Sequence, residues 1–197
     1  MKPSYFQNYT KEISDALLGM IVTLHDGTVV GQDTGLEKWV RLAKEVRDDR
    51  DGTLYLIGNG ASATIAEHIA LDAMKAGRFK TGSCSETSYL TAIANDISPD
   101  DLFSFKLNRV FTDRDMLITI SSSGNSPNII RAIETVRPRG GYVVTLSGMK
   151  PDNKSRTLGD LNFYLPAPTY GTSEVCHADL MHCWLDAFLD EYEGGRR

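Results

Sequence analysis

The chain has 197 residues and a formal net charge of −5 at pH 7, a size that predicts one domain with a substantial hydrophobic core. The net negative charge argues against a broad nucleic-acid-binding surface, which needs an excess of basic residues. No stretch is long and apolar enough to span a bilayer, and the first eleven residues lack the features of a secretory signal. From the charge and the lack of an apolar span we expect neither membrane nor nucleic-acid partners. Because Cys84, Cys176 and Cys183 lack disulfide or metal-ligand spacing, we expect a reducing, cytoplasmic location.

The N-terminal quarter of the chain is predicted to be helical. Apolar residues recur at helical spacing over residues 4–24, before two glycines break the pattern. Asp33 or Thr34 is suited to cap a second helix that continues to about Arg47. We therefore expect residues 1–50 to form a pair of helices.

From residue 51 onward the sequence alternates between strand-like and helix-like segments. The apolar run 53–58 precedes a helical segment from Ser62 to about Ala76, and the run 115–121 precedes another over 125–136. A third strand-like run, 141–148, leads through a short polar segment to a fourth, 161–168, and a closing helix is predicted over 173–195. Such alternation predicts right-handed crossovers and a parallel sheet covered on both faces. We expect one domain over 1–197, with the helical pair (1–50) leading an α/β core (51–197).

Four serines surround the turn that follows the second predicted strand: Ser121, Ser122, Ser123 and Ser126. In an open parallel sheet, ligands bind beyond the carboxyl ends of the strands, where helix N-termini offer unpaired N–H groups. Helix capping by Ser126 would account for one serine but not for four. The turn is therefore predicted to bind phosphate, and because it contains no lysine it does not match a nucleotide-hydrolysing P-loop. The turn 58–62, GNGAS, occupies the equivalent position after the first strand and is a weaker signal.

Two predicted helices each present one imidazole and one carboxylate. His68 and Asp72 are four residues apart, and Glu174 and His182 are eight apart, so each pair lies on one helix face. Together they form a set of nitrogen and oxygen donors suited to Zn²⁺, or they could perform acid–base catalysis. The spacing leaves other interpretations open: His68 and Asp72 could be a surface ion pair, His182 could be a core histidine, and His177 is a competing candidate one turn from Glu174.

Five segments together resemble proteins of the sugar isomerase (SIS) domain family: residues 57–74, 90–96, 120–133, 143–148 and 173–182. Within this family the chain is most similar to the phosphoheptose isomerases, which interconvert sedoheptulose 7-phosphate and D-glycero-D-manno-heptose 7-phosphate in heptose synthesis for lipopolysaccharide or capsule. The resemblance implies a flavodoxin-like three-layer α/β/α sandwich with a central parallel sheet. It also implies a homotetramer that uses the N-terminal helices and has its sites at subunit interfaces.

The resemblance also implies roles for individual residues. Substrate and phosphate binding falls to Asn59, Gly60, Ala61, Ser62, Asn95, Asp96, Ser121, Ser122, Ser123 and Ser126. The implied ligands of a divalent metal, expected to be zinc, are His68, Asp72, Glu174 and His182. The implied catalytic residues of an aldose–ketose isomerisation through an enediol are Asp72, Glu174 and His182. This chain has Ala61 in place of a glycine, Asp72 in place of a glutamate and Glu174 in place of a glutamine.

Two other functions remain open from the sequence. Some SIS relatives are non-catalytic tetrameric scaffolds that bind the replication initiator protein DnaA, and the segment 90–96 is close to their version. The chain could also isomerise or sense a different phosphosugar. The two histidine and carboxylate pairs favour an enzyme over the scaffold.

Overall fold

The computed structural model describes residues 4–195, which form a seven-stranded sheet with helices on both faces. The helices are α1 (Tyr5–Leu18), α2 (Gln32–Lys44), α3 (Ala61–Lys75), α4 (Thr87–Asp96), α5 (Ser104–Val110), α6 (Pro127–Val136) and α7 (Tyr170–Tyr192). The strands are β1 (Ile21–Leu24), β2 (Val29–Val30), β3 (Thr53–Gly58), β4 (Lys80–Gly82), β5 (Met116–Ser121), β6 (Tyr142–Gly148) and β7 (Leu161–Leu165). The α/β/α architecture predicted from the sequence is confirmed, while residues 1–3 and 196–197 of the predicted domain lie outside the described residues.

The sheet is parallel except at one edge. Its strand order is β2-β1-β7-β6-β5-β3-β4, and β3 to β7 run parallel to one another. Counted by themselves, these five strands have the order 2-1-3-4-5, which is the flavodoxin-like doubly wound order. The predicted central parallel sheet is confirmed for these five strands, and β1, which pairs antiparallel with both β7 and β2, makes the sheet mixed at this edge.

The predicted helix over residues 4–24 is wrong beyond Leu18. Residues 21–24 form β1 instead, and Val22 is fully buried where β1 pairs with β7. The β-branched run Ile21–Val22–Thr23 suits a pleated strand, and the edge of β7 supplies its hydrogen-bonding partners. The N-terminal segment therefore contributes a β-hairpin to the sheet in addition to its two helices.

Helix α2 begins without the predicted side-chain cap. Gly31 occupies the N-cap position in an extended conformation, and neither Asp33 nor Thr34 caps the helix, because both lie inside its first turn. Gln32, the first helical residue, donates hydrogen bonds to the carbonyls of Leu18 and Met20, at 2.9 Å each. These bonds tie the start of α2 to the end of α1.

Helix α7 starts three residues earlier than predicted. Thr169 and Thr172 form a reciprocal capping box that fixes its first turn. On the same sheet face, Trp184 of α7 stacks on Trp39 of α2 with ring centroids 4.9 Å apart, and both rings are fully buried. The first turn of α7 lies over the carboxyl end of β6, where a methyl group at Gly148 would collide with the side chain of Ser173.

Residues 80–110 contain three short elements that the sequence pattern did not reveal, β4, α4 and α5. Ile93 is the one buried side chain within α4, so the helix has little apolar periodicity to detect. Among residues 4–195, no helix combines the length and hydropathy needed to cross a bilayer.

Candidate active site

Two loops meet at the carboxyl edge of the sheet, where the strand order reverses. β3 and β5 are direct neighbours, with Gly58 paired to Ile120 near their ends. Helix α3, which follows β3, packs into the hydrophobic cluster on one face of the sheet, and α6, which follows β5, packs into the cluster on the other. The two segments therefore diverge after their strands and leave a crevice between the GNGAS loop (58–62) and the serine loop (121–126). This is the position at which doubly wound sheets bind ligands.

A reciprocal pair of side-chain amides joins the two loops. The Nδ2 of Asn59 donates to the Oδ1 of Asn128 at 2.9 Å, and the Nδ2 of Asn128 donates to the Oδ1 of Asn59 at 3.0 Å. Sequence reasoning identified Asn59 but missed Asn128. The sequence feature that could have identified Asn128 is its position two residues after the N-cap serine of α6, in the motif Ser126–Pro127–Asn128.

Two hydroxyl groups of the serine loop make no hydrogen bond that the structure describes. Ser126 occupies the N-cap position of α6, yet its side chain makes no capping hydrogen bond. Ser122 is buried, and its Oγ has no hydrogen-bond partner among the described residues. Buried hydroxyl groups are normally paired, so both serines retain hydrogen-bonding capacity that a phosphate can use. Ser121 is also buried, and the Oγ of Ser123 accepts a hydrogen bond from the Asn125 backbone at 3.3 Å.

Gly124 allows a second segment to close against the serine loop. It has a φ of +61°, and a methyl group at this position would collide with the side chain of Asn153. The Ser155 backbone N–H donates to the Gly124 carbonyl at 2.9 Å, and the Lys154 N–H donates to the Oδ1 of Asn125 at 3.0 Å. The segment 153–155 therefore fixes the outer side of the loop.

The GNGAS loop borders a small cavity. Gly60 is at the N-cap of α3 with a φ of +56°, Ala61 is the exposed first helical residue, and Ser62 is buried. The cavity has a volume of about 120 Å³ and is lined by Asn59, Gly60, Glu67, Ser83, Cys84 and Phe103 among others. Ser83 was not identified from the sequence, because it lies in the loop after the short strand β4.

His68, Asp72 and His182 come together on the adjoining faces of α3 and α7. One potential ligand atom from each lies within 4.8 Å of the others. The Nε2 of His68 is 3.3 Å from the Oδ2 of Asp72, and the two imidazole centroids are 5.3 Å apart. Both histidines are exposed, so the interpretation of His182 as a core histidine is wrong.

This donor set fits a divalent metal. Catalytic zinc sites commonly use three protein ligands of the histidine and carboxylate type and keep one position open. Tetrahedral ligand atoms lie about 3.4 Å apart for bonds of about 2.1 Å, so small side-chain rotations would bring the three groups to coordinating distance. The coarse prediction of a metal-binding group is supported for three of the four residues.

The other predicted site residues are more distant or less constrained. Glu174 lies on α7 eight residues before His182, about 12 Å along the helix axis at 1.5 Å per residue, and is not part of the three-residue group. Asn95 and Asp96 form the exposed last turn of α4, where the Nδ2 of Asn95 donates to the Oδ1 of Asp96 at 2.7 Å. Their participation in the site stays a prediction.

His177, the competing candidate, is the core histidine of α7. It is fully buried, and burial lowers its pKa to about 4, so the ring is neutral near pH 7. It does not belong to the metal-binding group.

A larger concavity of about 600 Å³ between α2 and α7, lined by Lys38, Arg41 and Tyr192 among others, contains none of the predicted site residues.

Comparison with known proteins identifies the family. The sequence pattern of the SIS domain matches residues 19–148 of this chain. The chain belongs to the SIS domain family. It is 34% identical over 146 residues to the phosphoheptose isomerase of Neisseria gonorrhoeae and 31% identical over 146 residues to that of Bordetella avium. Both alignments cover 69% of this chain and 73% of the relative.

Solved structures agree with the assignment to the SIS family. The structure of the phosphoheptose isomerase GmhA from Neisseria gonorrhoeae superposes with a TM-score of 0.77 at 26% sequence identity. The superposition covers 94% of this chain and 96% of that one. The resemblance that the sequence motifs indicated is therefore confirmed.

Proposed function

We propose that the protein is a sugar-phosphate isomerase of the phosphoheptose type, which converts sedoheptulose 7-phosphate to D-glycero-D-manno-heptose 7-phosphate. The convergence of His68, Asp72 and His182 carries this proposal, because His68 and His182 are more than one hundred positions apart in sequence. Relatives that are 31% and 34% identical bear the name phosphoheptose isomerase. A non-catalytic scaffold would not need this group of side chains.

The serine loop binds the phosphate of the substrate. The Ser122 and Ser126 hydroxyls and the Asn128 backbone N–H in the first turn of α6 offer donors to its oxygens, and the helix dipole favours the negative charge. His68 lies seven residues into α3, about 10 Å from the start of the helix at 1.5 Å per residue. Binding of the phosphate in the crevice, beside the start of α3, directs the carbonyl end of an extended sugar toward the imidazole and carboxylate groups.

The proton transfer between C1 and C2 is assigned to a carboxylate. Asp72 or Glu174 removes the C1 proton of the ketose to give a cis-enediol and, after exchange with solvent, delivers a proton to C2, while His182 moves the proton between the two oxygens. A divalent ion, proposed to be zinc with His68, Asp72, His182 and Glu174 as ligands, would polarise the carbonyl and stabilise charge on the oxygens. Asp72 is one methylene shorter than the glutamate of the family pattern, so its reach depends on how closely α3 and α7 pack.

Exposed apolar side chains support the proposed homotetramer. On α1, Tyr5, Phe6 and Leu18 are 57–76% exposed, and on α3 Leu71 and Met74 are more than half exposed. Leu71 and Met74 flank Asp72, which is consistent with sites at subunit contacts. A cytoplasmic location and a single SIS domain that extends over the whole chain complete the proposal.

The test is incubation of the purified protein with sedoheptulose 7-phosphate, with and without a chelator, followed by NMR of the sugar products. We expect the aldose phosphate to form and chelation to stop its formation. Conversion that is insensitive to exhaustive chelation would remove the metal from the proposal. Absence of conversion by the zinc-loaded protein would overturn the proposed substrate, and a rise in melting temperature with other phosphosugars would then indicate a different ligand.

A further inference from the structure

Asn128 contacts the GNGAS loop but belongs to no motif assigned to substrate or metal. It lies in the first turn of α6, is 8% exposed, and exchanges two hydrogen bonds with Asn59 across the crevice. Asn59 is exposed at the mouth of the crevice and follows β3 directly. The two asparagines form the amide clasp, a direct side-chain link between the two ligand loops.

The clasp leaves part of the Asn59 amide unused. A primary amide has two N–H donors and a carbonyl with two lone pairs, and the clasp uses one donor and one lone pair of each residue. Because Asn128 is buried, its remaining capacity is shielded from the crevice. The second N–H and the second lone pair of Asn59 remain available on the exposed side.

The clasp also fixes the relative orientation of the two amides. Rotation of either amide alone by 180° would place oxygen against oxygen and nitrogen against nitrogen, which replaces two hydrogen bonds by two repulsive contacts. Breaking the pair would remove two hydrogen bonds, each worth about a fivefold change in an equilibrium constant. Asn128 therefore restricts both the position of the GNGAS loop and the orientation of the Asn59 side chain.

We propose that Asn128 is a positioning residue that orients the Asn59 amide toward the bound phosphosugar and holds the GNGAS loop at a fixed distance from the serine loop. The inference rests on the proposed function, because it assigns the crevice to a phosphosugar. A positioning role of Asn128 predicts a result that a role in stability alone does not predict. Loss of Asn128 weakens substrate binding through Asn59, so the effect disappears when Asn59 is already absent.

The experiment is a double-mutant cycle on the full-length, zinc-loaded protein with Asn128→Ala, Asn59→Ala and the double variant. KM and kcat for sedoheptulose 7-phosphate are measured together with the dissociation constant of the same sugar phosphate by calorimetry at a temperature that suppresses turnover. We expect Asn128→Ala to raise KM and the dissociation constant about tenfold, which is within the limit of about thirtyfold set by two hydrogen bonds, and to change kcat less than about threefold. In the Asn59→Ala background we expect the same substitution to add less than about twofold.

Two controls separate positioning from stability. Asn128→Leu, which is close in volume and suited to a buried position, must give the same loss of binding even if Asn128→Ala folds poorly. Thr135→Ala on the same helix removes a hydroxyl that donates to the Arg131 carbonyl, and its KM should equal that of the wild type.

Two results would overturn the inference. One is unchanged sugar-phosphate binding in Asn128→Leu, and the other is a full tenfold effect of Asn128→Ala in the absence of Asn59. If the wild type binds the sugar phosphate without converting it, the proposed function fails. The binding cycle then still decides the role of Asn128.

Discussion

At the residue scale, the metal-binding group depends on the short carboxylate of Asp72. Its Oδ2 is 3.3 Å from the Nε2 of His68, one turn earlier on α3, while His182 approaches from α7. The helical spacing of His68 and Asp72 is local and could be predicted from the sequence. The approach of His182 depends on the packing of α7, which the sequence alone does not specify.

We expect Asp72→Ala to lower bound zinc to well below one ion per chain and to reduce isomerisation at least about a hundredfold, because it removes both a ligand and the proposed base. Asp72→Glu should retain the metal. His25→Ala, which removes an exposed histidine that contacts Arg137, is the matched control and should retain both metal and turnover. Elemental analysis and steady-state rates check these outcomes, and wild-type turnover in Asp72→Ala would contradict the assignment.

His177 gives a pH dependence of stability whose sign follows from its burial. Its folded-state pKa is about 4, below the ordinary value of 6.5, so between these values the unfolded state binds a proton that the folded state does not. The contribution is fully present above pH 6.5 and is lost as pH falls toward 4, by roughly 3 kcal/mol. Urea unfolding at pH 7 and pH 4.5 should show a smaller loss for His177→Gln than for the wild type. Equal losses in the two proteins would refute this role of His177.

At the element scale, the serine loop shows which features a sequence can and cannot predict. A helix over 125–136 was predicted from local residue types, and its start at Pro127 suits the fixed φ of proline. The amide clasp and the support from Asn153 join residues 29 to 69 positions apart, so they depend on the folded topology. For the same reason β1 was mistaken for helix, because its partner β7 lies about 140 residues later.

Ser126→Ala separates capping from ligand binding. An N-cap serine normally contributes about 0.5–2 kcal/mol to stability, but the Ser126 side chain makes no capping bond. We therefore expect the unfolding free energy to change by less than about 0.5 kcal/mol, while KM for the phosphosugar rises severalfold. A large stability loss with an unchanged KM would show that the serine is a cap and not a phosphate ligand.

At the scale of the whole molecule, the exposed apolar residues of α1 have a consequence for assembly. Phe6 and Leu18 are each 76% exposed, and burial of such side chains in an interface would remove apolar surface from water. The sequence indicated an assembly only through the family resemblance, because the apolar spacing of α1 by itself does not distinguish a core from an interface. The hairpin β1–β2 that follows α1 anchors it to the edge of the sheet.

We expect light scattering to give a mass about four times the chain mass of 21.8 kDa. Phe6→Glu should shift the protein to smaller species, because it places a charge in the proposed interface. Gln7→Glu adds the same charge at the neighbouring exposed position and is the control for charge alone. A monomeric wild type, or a tetramer that is unaffected by Phe6→Glu, would count against the role of α1.

The central claim is that the crevice holds the phosphate while His68, Asp72 and His182 act at the other end of the sugar. Conversion of sedoheptulose 7-phosphate in D₂O by the zinc-loaded protein, followed by NMR, tests it most directly. We predict that the aldose phosphate forms with deuterium at C2, because the enediol exchanges its proton with solvent at an exposed site, and that His182→Ala forms none. Aldose formation at the wild-type rate by His182→Ala would contradict the account.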